Sequence, residues 1–568
     1  MEASSTGGFG IRKWSPPYHL RDWAPTGRPI ASPSSILFTI PREILHLIIG
    51  HVASDKSHLA SLALVNSTCR QLARSCQFNN LHLDYGSAAL EVLAMLQKEA
   101  VQRSRSSDRM TMSPSLGACV RQLKVDSEGF WPRLRSLLPP DFHSAAERDE
   151  RKVERVHCVS AVLSEYLHHF YWPTALLVVP TLPNLQSLCM RGWILEDDLL
   201  DCLIELPIKN LELSGDFPRT PNIRTRRNSC PLETLETLRI HTSWEFQFAH
   251  NNTELDPSGF YKTLLASCCS NLRRLEISHT EFKSLGGNKM PKEMPLSFHM
   301  EFPKLKTLYI RSMEIVDAQV LSCLVREGLT YLFIPYNDTS QFLSELGQIR
   351  TLDTVILYGF GATGSTPTRF IETNTQIRSL AISWAVDAFL GRVIQSLHHH
   401  GSLKSLSLEW QESDIPESSL EKLSLLPSIE ILHLRAGDPF GWPKDWFVDH
   451  NKLRRYVGRL SHLRRLIITR DTYPLQSDEV NLLDPGRYYD SREPGSAFWA
   501  VHETQMLEHA FAYVQALPML EFLHIGQVIF TVEENNGVRE PVVTGSAWVG
   551  KQEYRVLKEE FRVYDMSF

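Results

Sequence analysis

The side chains best placed for chemistry in this 568-residue chain are a few histidines, cysteines and acids. Glu165, His168 and His169 fall at i, i+3 and i+4, a spacing that puts all three on one face of a helix. Structural zinc wants four ligands, and no distant Cys/His cluster supplies the rest, so a surface helix is the better reading. His398, His399 and His400 precede Gly401 and read as a helix C-terminus, where imidazole suits the negative end of the dipole. The ten cysteines are scattered without a CxxC pair. Cys189, Cys202, Cys268 and Cys323 lie inside apolar stretches, as buried thiols of a reducing compartment do. No Gly-rich phosphate loop, nucleophile elbow or HExxH motif is present. The reading is therefore non-enzymatic, with no metal and no organic cofactor.

Composition narrows the class further. At 43% hydrophobic and 22% charged residues, the chain can build a large core. A net charge of -6 over this length gives no polyelectrolyte signal, so charge implies no nucleic-acid partner. Nothing resembles a secretory signal, and no apolar run approaches the ~20 residues of a membrane span. The expectation is a cytoplasmic or nuclear protein with no membrane partner.

With no catalytic set to position, the elements themselves carry the argument. From Ile40 to Leu83 the sequence predicts three short helices and a short strand. Pro41 suits a first helical turn and Glu43 the positive end of its dipole. Ile44, Leu47, Ile48 and Val52 recur at helical spacing. Asp55 or Ser57 caps a second helix bearing Leu59, Leu62 and Val65, and Asn66 caps a third bearing Cys69, Leu72, Ala73 and Cys76.

Behind this stretch, apolar residues recur at i, i+3 and i+5. The triplet appears at Phe78/Leu81/Leu83, Val120/Leu123/Val125, Leu185/Leu188/Met190, Ile208/Leu211/Leu213 and Leu235/Leu238/Ile240. It returns at Leu272/Leu275/Ile277, Leu305/Leu308/Ile310, Leu329/Leu332/Ile334, Leu352/Val355/Leu357 and Ile377/Leu380/Ile382. The last are Leu403/Leu406/Leu408, Ile429/Leu432/Leu434, Leu463/Leu466/Ile468 and Leu520/Leu523/Ile525. From Leu305 to Ile429 the step is about 25 residues, inside the 20–29-residue period of leucine-rich repeats. Positions i+3 and i+5 share one strand face, and position i packs beneath it from the entering turn. Apolar helical stretches such as DDLLDCLIEL, DAQVLSCLVREGL and SSLEKLSLL precede several strands. No such unit buries its own face, so stacked neighbours must complete the core.

The pattern apolar-Pro-x-Glu-Ile-Leu … Leu-x-x-Leu-x-Leu-Val-Asn … Arg-x-Leu-Ala resembles an F-box, and the irregular array behind it is similar to those of fungal F-box proteins. The residue at Cys69 departs from the larger aromatic common there. The resemblance implies an α/β protein: a short N-terminal three-helix F-box, then an α/β leucine-rich-repeat-like solenoid with a parallel concave sheet. Its segments are a tail at 1–35, the F-box at 36–77, the array at 78–526 and an antiparallel cap at 527–568. The resemblance further implies a substrate receptor that docks a Skp-type adaptor, and through it a cullin-based ubiquitin ligase. Ile40, Pro41, Ile44, Leu47, Ile48, Leu59, Leu62, Val65 and Cys69 are the expected adaptor contacts, in the helix-in-groove mode. The rival class is an interaction scaffold that never delivers ubiquitin.

An unknown target protein is expected on the exposed strand positions i+2, i+4 and i+6. These place Arg239, His241, Arg274, Glu276, Tyr309, Arg311, Tyr331, Phe333 and Tyr358 on one sheet face, rich in the Tyr and Arg that dominate binding hot spots. An arginine cluster at Arg219, Arg224, Arg226 and Arg227 and an aromatic excursion at Phe440, Trp442, Trp446 and Phe447 mark insertions.

Overall fold

The computed structural model describes residues 55–65, 67–84, 86–105, 116–126, 171–194, 206–216, 232–244, 264–281, 301–311, 328–335, 346–358, 366–426, 428–437, 446–469, 497–526 and 528–546, with a few single positions such as Ile44, Ile48 and Leu199. The tail, Ile40, Pro41, Leu47, Asn66, Glu165, His168, His169, Cys323, the arginine cluster, Phe440, Trp442 and the last residues of the cap lie outside them. The chain divides into two compact units. One comprises Met1–Leu272 with His279–Pro291, the other Arg273–Ser278 with Lys292–Phe568.

In the first unit, α1 (Lys56–Val65) and α2 (Ser67–Gln77) lead into strand β1 (Asn80–Leu83). Asp55 is the cap: its Oδ1 accepts from the Ser57 hydroxyl and the Ser57 backbone N–H, each at 2.7 Å, and the hydroxyl bond first, then the N–H, holds its carboxyl below the usual range. After α3 (Ser87–Arg105) come β2 (Gln122–Asp126), β3 (Ser187–Ile194), β4 (Asn210–Asp216) and β5 (Thr237–Trp244). All pair in parallel, each with the next. Glu99 on α3 ties the turn before β2, accepting from the N–H groups of Leu116 at 2.7 Å and Gly117 at 3.1 Å.

The second unit takes β6 (Arg274–Glu281) as far as Ser278 and runs on through β7 (Thr307–Arg311), β8 (Tyr331–Pro335), β9 (Thr354–Tyr358) and β10 (Ser379–Ala385). Next are β11 (Ser405–Trp410), β12 (Ile431–Arg435), β13 (Arg465–Thr469) and β14 (Phe522–Gly526). These too are parallel and paired in chain order. The helices α4 (Thr366–Thr373), α5 (Asp387–Ser396), α6 (Glu417–Leu423), α7 (His450–Val457) and α8 (Ala497–Ala516) pack each on the next. Parallel neighbours need such a crossover between them. At Val528 the sense reverses: β15 (Val528–Asn535) and β16 (Val538–Ser546) are antiparallel, joined by a turn whose Asn536 and Gly537 take φ of 54° and 80°. The fold is thus α/β, with a mostly parallel ladder in repeat-like units.

Every triplet in the sequence starts a strand at its i+2 residue, from Asn80 to Phe522. The register follows from one repeated device. The carbonyl at i+1 accepts from two successive N–H groups of the next unit, as Arg378 does from Lys404 and Ser405 and Lys404 does from Glu430 and Ile431. The entering turn is closed by a bond from the N–H at i to the carbonyl at i−3, seen at Leu185, Leu235, Leu305, Leu403, Leu463 and Leu520. Beyond β1, where Leu81 is half-buried, the i+3 and i+5 residues are sealed: Leu308, Ile310, Leu380, Ile382, Leu406 and Leu408 are all inaccessible. We call this the leucine face and the opposite one the variable face.

Candidate functional site

On α1, two faces are apolar. Leu59, Ala63 and, on α2, Ala73 form a small core, with Leu62 and Cys76 packed at its edge. Cys69 is buried as well. On the other side, Leu64 is 71% exposed and Val65 67%, and Ile44 and Ile48 are exposed too. Of the expected adaptor contacts, then, Val65, Ile44 and Ile48 are accessible, Leu62 is half-buried, and Leu59 and Cys69 are sealed within this unit. Exposure was the wrong expectation for those two, because α1 and α2 need a core of their own before anything docks. Leu64 was missed. Its signal was the run Leu59-Ala60-Ser61-Leu62-Ala63-Leu64-Val65, too apolar for a helix that buries one face.

The variable face of the first unit is a row of charges. Along β1 to β5, position i+4 reads His82, Lys124, Cys189, Glu212 and Arg239, each facing the next across the ladder. Arg191 donates from Nε to Glu212 Oε1 at 2.8 Å, and Arg239 Nη1 lies 3.5 Å from the other oxygen. Burial pulls the Glu212 carboxyl upward, but its bonds and charge contact with Arg191, helped by Cys189 and His241, hold it below the usual range. Burial, then the nearby Glu212 charge, raises the Cys189 thiol to about 12. Lys124 and His82 share Asp126, the lysine closely and the imidazole at 3.5 Å. Solvent reaches this row: the side chains of His82, Lys124, Arg239 and Arg191 are 50%, 37%, 34% and 31% exposed.

In the second unit the same row reads Glu276, Tyr309, Phe333, Ile356, Ala381, Ser407, His433, Ile467 and His524. Every member is buried. Tyr309 stacks on Phe333 with centroids 4.1 Å apart, and Phe333 on Tyr358 at 6.3 Å. Tyr331, Ile356, Ala381 and Ile467 complete the cluster. The expectation of exposure therefore fails for Glu276, Tyr309, Tyr331 and Phe333. Glu276 pairs closely with Arg274, and Arg311 lies 5.9 Å over the half-buried Tyr358 ring. Strand propensity for Tyr and Phe is expressed here as packing.

Sequence reading passed over the polar members. Ser407 Oγ and His433 Nδ1 share a hydrogen bond of 2.7 Å. The pair has the reach of a nucleophile and its base. However, burial, then Arg435 and His524, push His433 down to about 3, so the imidazole is a poor proton acceptor. Its role is to satisfy a buried hydroxyl. His524 is pushed by burial to about 4 and bonds the Gly526 carbonyl at 3.1 Å. Arg435 and Glu409 pair at 3.5 Å two residues further along β12 and β11.

The described cysteines are all free thiols, and burial pushes those of Cys119 and Cys268 upward. Among the described residues, no group of His, Cys, Asp and Glu could hold a metal ion, and no helix is long and apolar enough to cross a membrane. Compared with protein-family models and with curated proteins, the sequence matches none.

Proposed function

We propose that this protein is a substrate receptor of a Skp–cullin–F-box type ubiquitin ligase, built from an F-box and a leucine-rich-repeat-like array. In this reading α1 and α2 dock the adaptor while the repeat units hold the target, and the protein contributes proximity alone. One observation carries it: α1 keeps Leu59 and Ala63 for its own core and leaves Leu64 and Val65 open to solvent. Contiguous exposed leucine and valine on a short helix suit a partner's apolar groove. The ladder of parallel strands backed by helices supports the second half of the reading, since repeat arrays present extended recognition faces.

Co-purification of the full chain with a Skp-type adaptor tests it. The double variant Leu64→Asp, Val65→Asp should lose capture by at least ~tenfold while the thermal transition stays put, because neither side chain contributes to the core. Capture that survives this variant, or absence of capture by the unaltered chain, rejects the reading.

A further inference from the structure

We propose that the variable face of the first unit is a docking strip for an extended acidic segment of a protein partner, with Lys124, Arg191 and Arg239 as its cationic contacts. The second unit's corresponding row is closed by its own packing, whereas this one is solvent-accessible along its length. Its cations are held in place before any partner arrives. Glu212 orients both guanidinium groups, through Arg191 Nε at 2.8 Å and Arg239 Nη1 at 3.5 Å, and Asp126 anchors Lys124. A guanidinium is a planar fork of five N–H donors, the geometry that suits a carboxylate.

Charge balance selects the partner. Three cations, Lys124, Arg191 and Arg239, alternate with the two acids that hold them, Asp126 and Glu212. A nucleic-acid backbone presents a phosphate every few ångströms and would meet Glu212 and Asp126 as well as the cations. Discrete carboxylates fit better. Arg191 and Arg239 sit on β3 and β5 and both reach the Glu212 carboxylate between them, so their bonded nitrogens lie less than about 9 Å apart. Acids two residues apart on an extended chain point to the same side and are separated by a comparable ~7 Å. His82 and His241 flank the strip as further donors. The inference rests on the proposed function in taking this face to hold cargo.

The test uses the full chain and a labelled Gly/Ser peptide with Glu at every second position, read by fluorescence anisotropy. Its partners are the same peptide with Gln for Glu, and a single-stranded oligonucleotide. The Glu peptide should bind, should weaken with added salt as exposed pairs do, and should beat the Gln peptide. Arg191→Gln and Arg239→Gln should each weaken it by about three- to tenfold. Arg239→Lys, which keeps the charge and cannot disturb folding more than Gln does, should recover part of the loss. Equal binding of the Gln peptide, tighter binding of the oligonucleotide, or indifference to both arginine variants overturns the proposal. Adaptor capture measured on the same samples separates the two readings. Capture without Glu-peptide binding rejects the strip alone, and Glu-peptide binding without capture rejects the ligase reading alone.

Discussion

The same strand position means opposite things in the two units. At i+4 the first unit places Lys124, Glu212 and Arg239, reachable by water, with Lys124 paired to Asp126 and Arg239 to Glu212. The second places Tyr309, Phe333, Ile356 and Ala381, stacked and sealed. The leucine face is alike in both, because stacking requires it. The variable face is under no such constraint, so its chemistry records what each unit's second surface is for. One is a polar surface that solvent or a partner can occupy, and the other is a second core.

The sharpest break of that contrast is to hollow out the second core. Phe333 is 1% exposed and stacks between Tyr309 and Tyr358. Phe333→Ala should cost about 3–5 kcal/mol, the range for a buried aromatic truncated in a packed interior. Urea denaturation followed by far-UV circular dichroism measures it. A loss below ~1 kcal/mol would mean that the face is covered loosely and that its burial contributes little.

Acid should act on the same core. His433 and His524 have folded pKa values lowered to about 3 and about 4, from an ordinary 6.5. Lowered values mean that the unfolded chain binds protons more readily than the native one. Stability from this source is therefore complete above about pH 6.5 and falls as pH drops, until the folded values are reached. Each imidazole contributes a slope of about 1.4 kcal/mol per pH unit in that window. Replacing His524 with Asn should flatten the stability profile between pH 6.5 and 4.5 by about that slope, whatever it does to stability at neutral pH. An unchanged slope would show that the His524 ring meets water in the native state.

Much of this architecture could be read from residue types, and the reasons are specific. Each triplet such as Leu403/Leu406/Leu408 marks one turn and one strand face, so strand starts followed without error across both units. What the triplets leave undetermined is what lies against the other face. Tyr309 and Arg239 occupy equivalent strand positions, and nothing local separates a tyrosine that packs from one that recognises. The device that knits the units was also invisible. The residue before the triplet reaches back to the preceding unit, as Asn184 does to the Ala118 carbonyl at 2.7 Å and Ser402 to that of Thr375 at 2.6 Å. Asn374 replaces the usual apolar residue of the entering turn, is fully buried, and ties the Ile349 N–H at 2.8 Å to the Gly347 carbonyl at 3.0 Å. Such bonds span more than twenty residues of sequence and obey no apolar period. The exposed Leu64 was missed, and the buried Leu59 and Cys69 were taken as contacts, for a related reason: helical spacing alone does not say which of two apolar faces is buried.

The smallest effect tests the other side of the comparison. Glu212 carries two guanidinium groups, yet it stands 16% exposed beside arginines about a third open to solvent. A fully buried ion pair broken on one side costs several kcal/mol, since the remaining charge is stranded. Here water can take over the hydrogen bonds of Arg191 and Arg239. Glu212→Gln should therefore cost about 1 kcal/mol or less, nearer to a surface pair, in the same urea titration that registers Phe333→Ala. The order of the two losses is the point. A cost for Glu212→Gln approaching that of Phe333→Ala would mean that the first unit's variable face is as closed as the second's, and an acidic segment would then have no surface on which to dock.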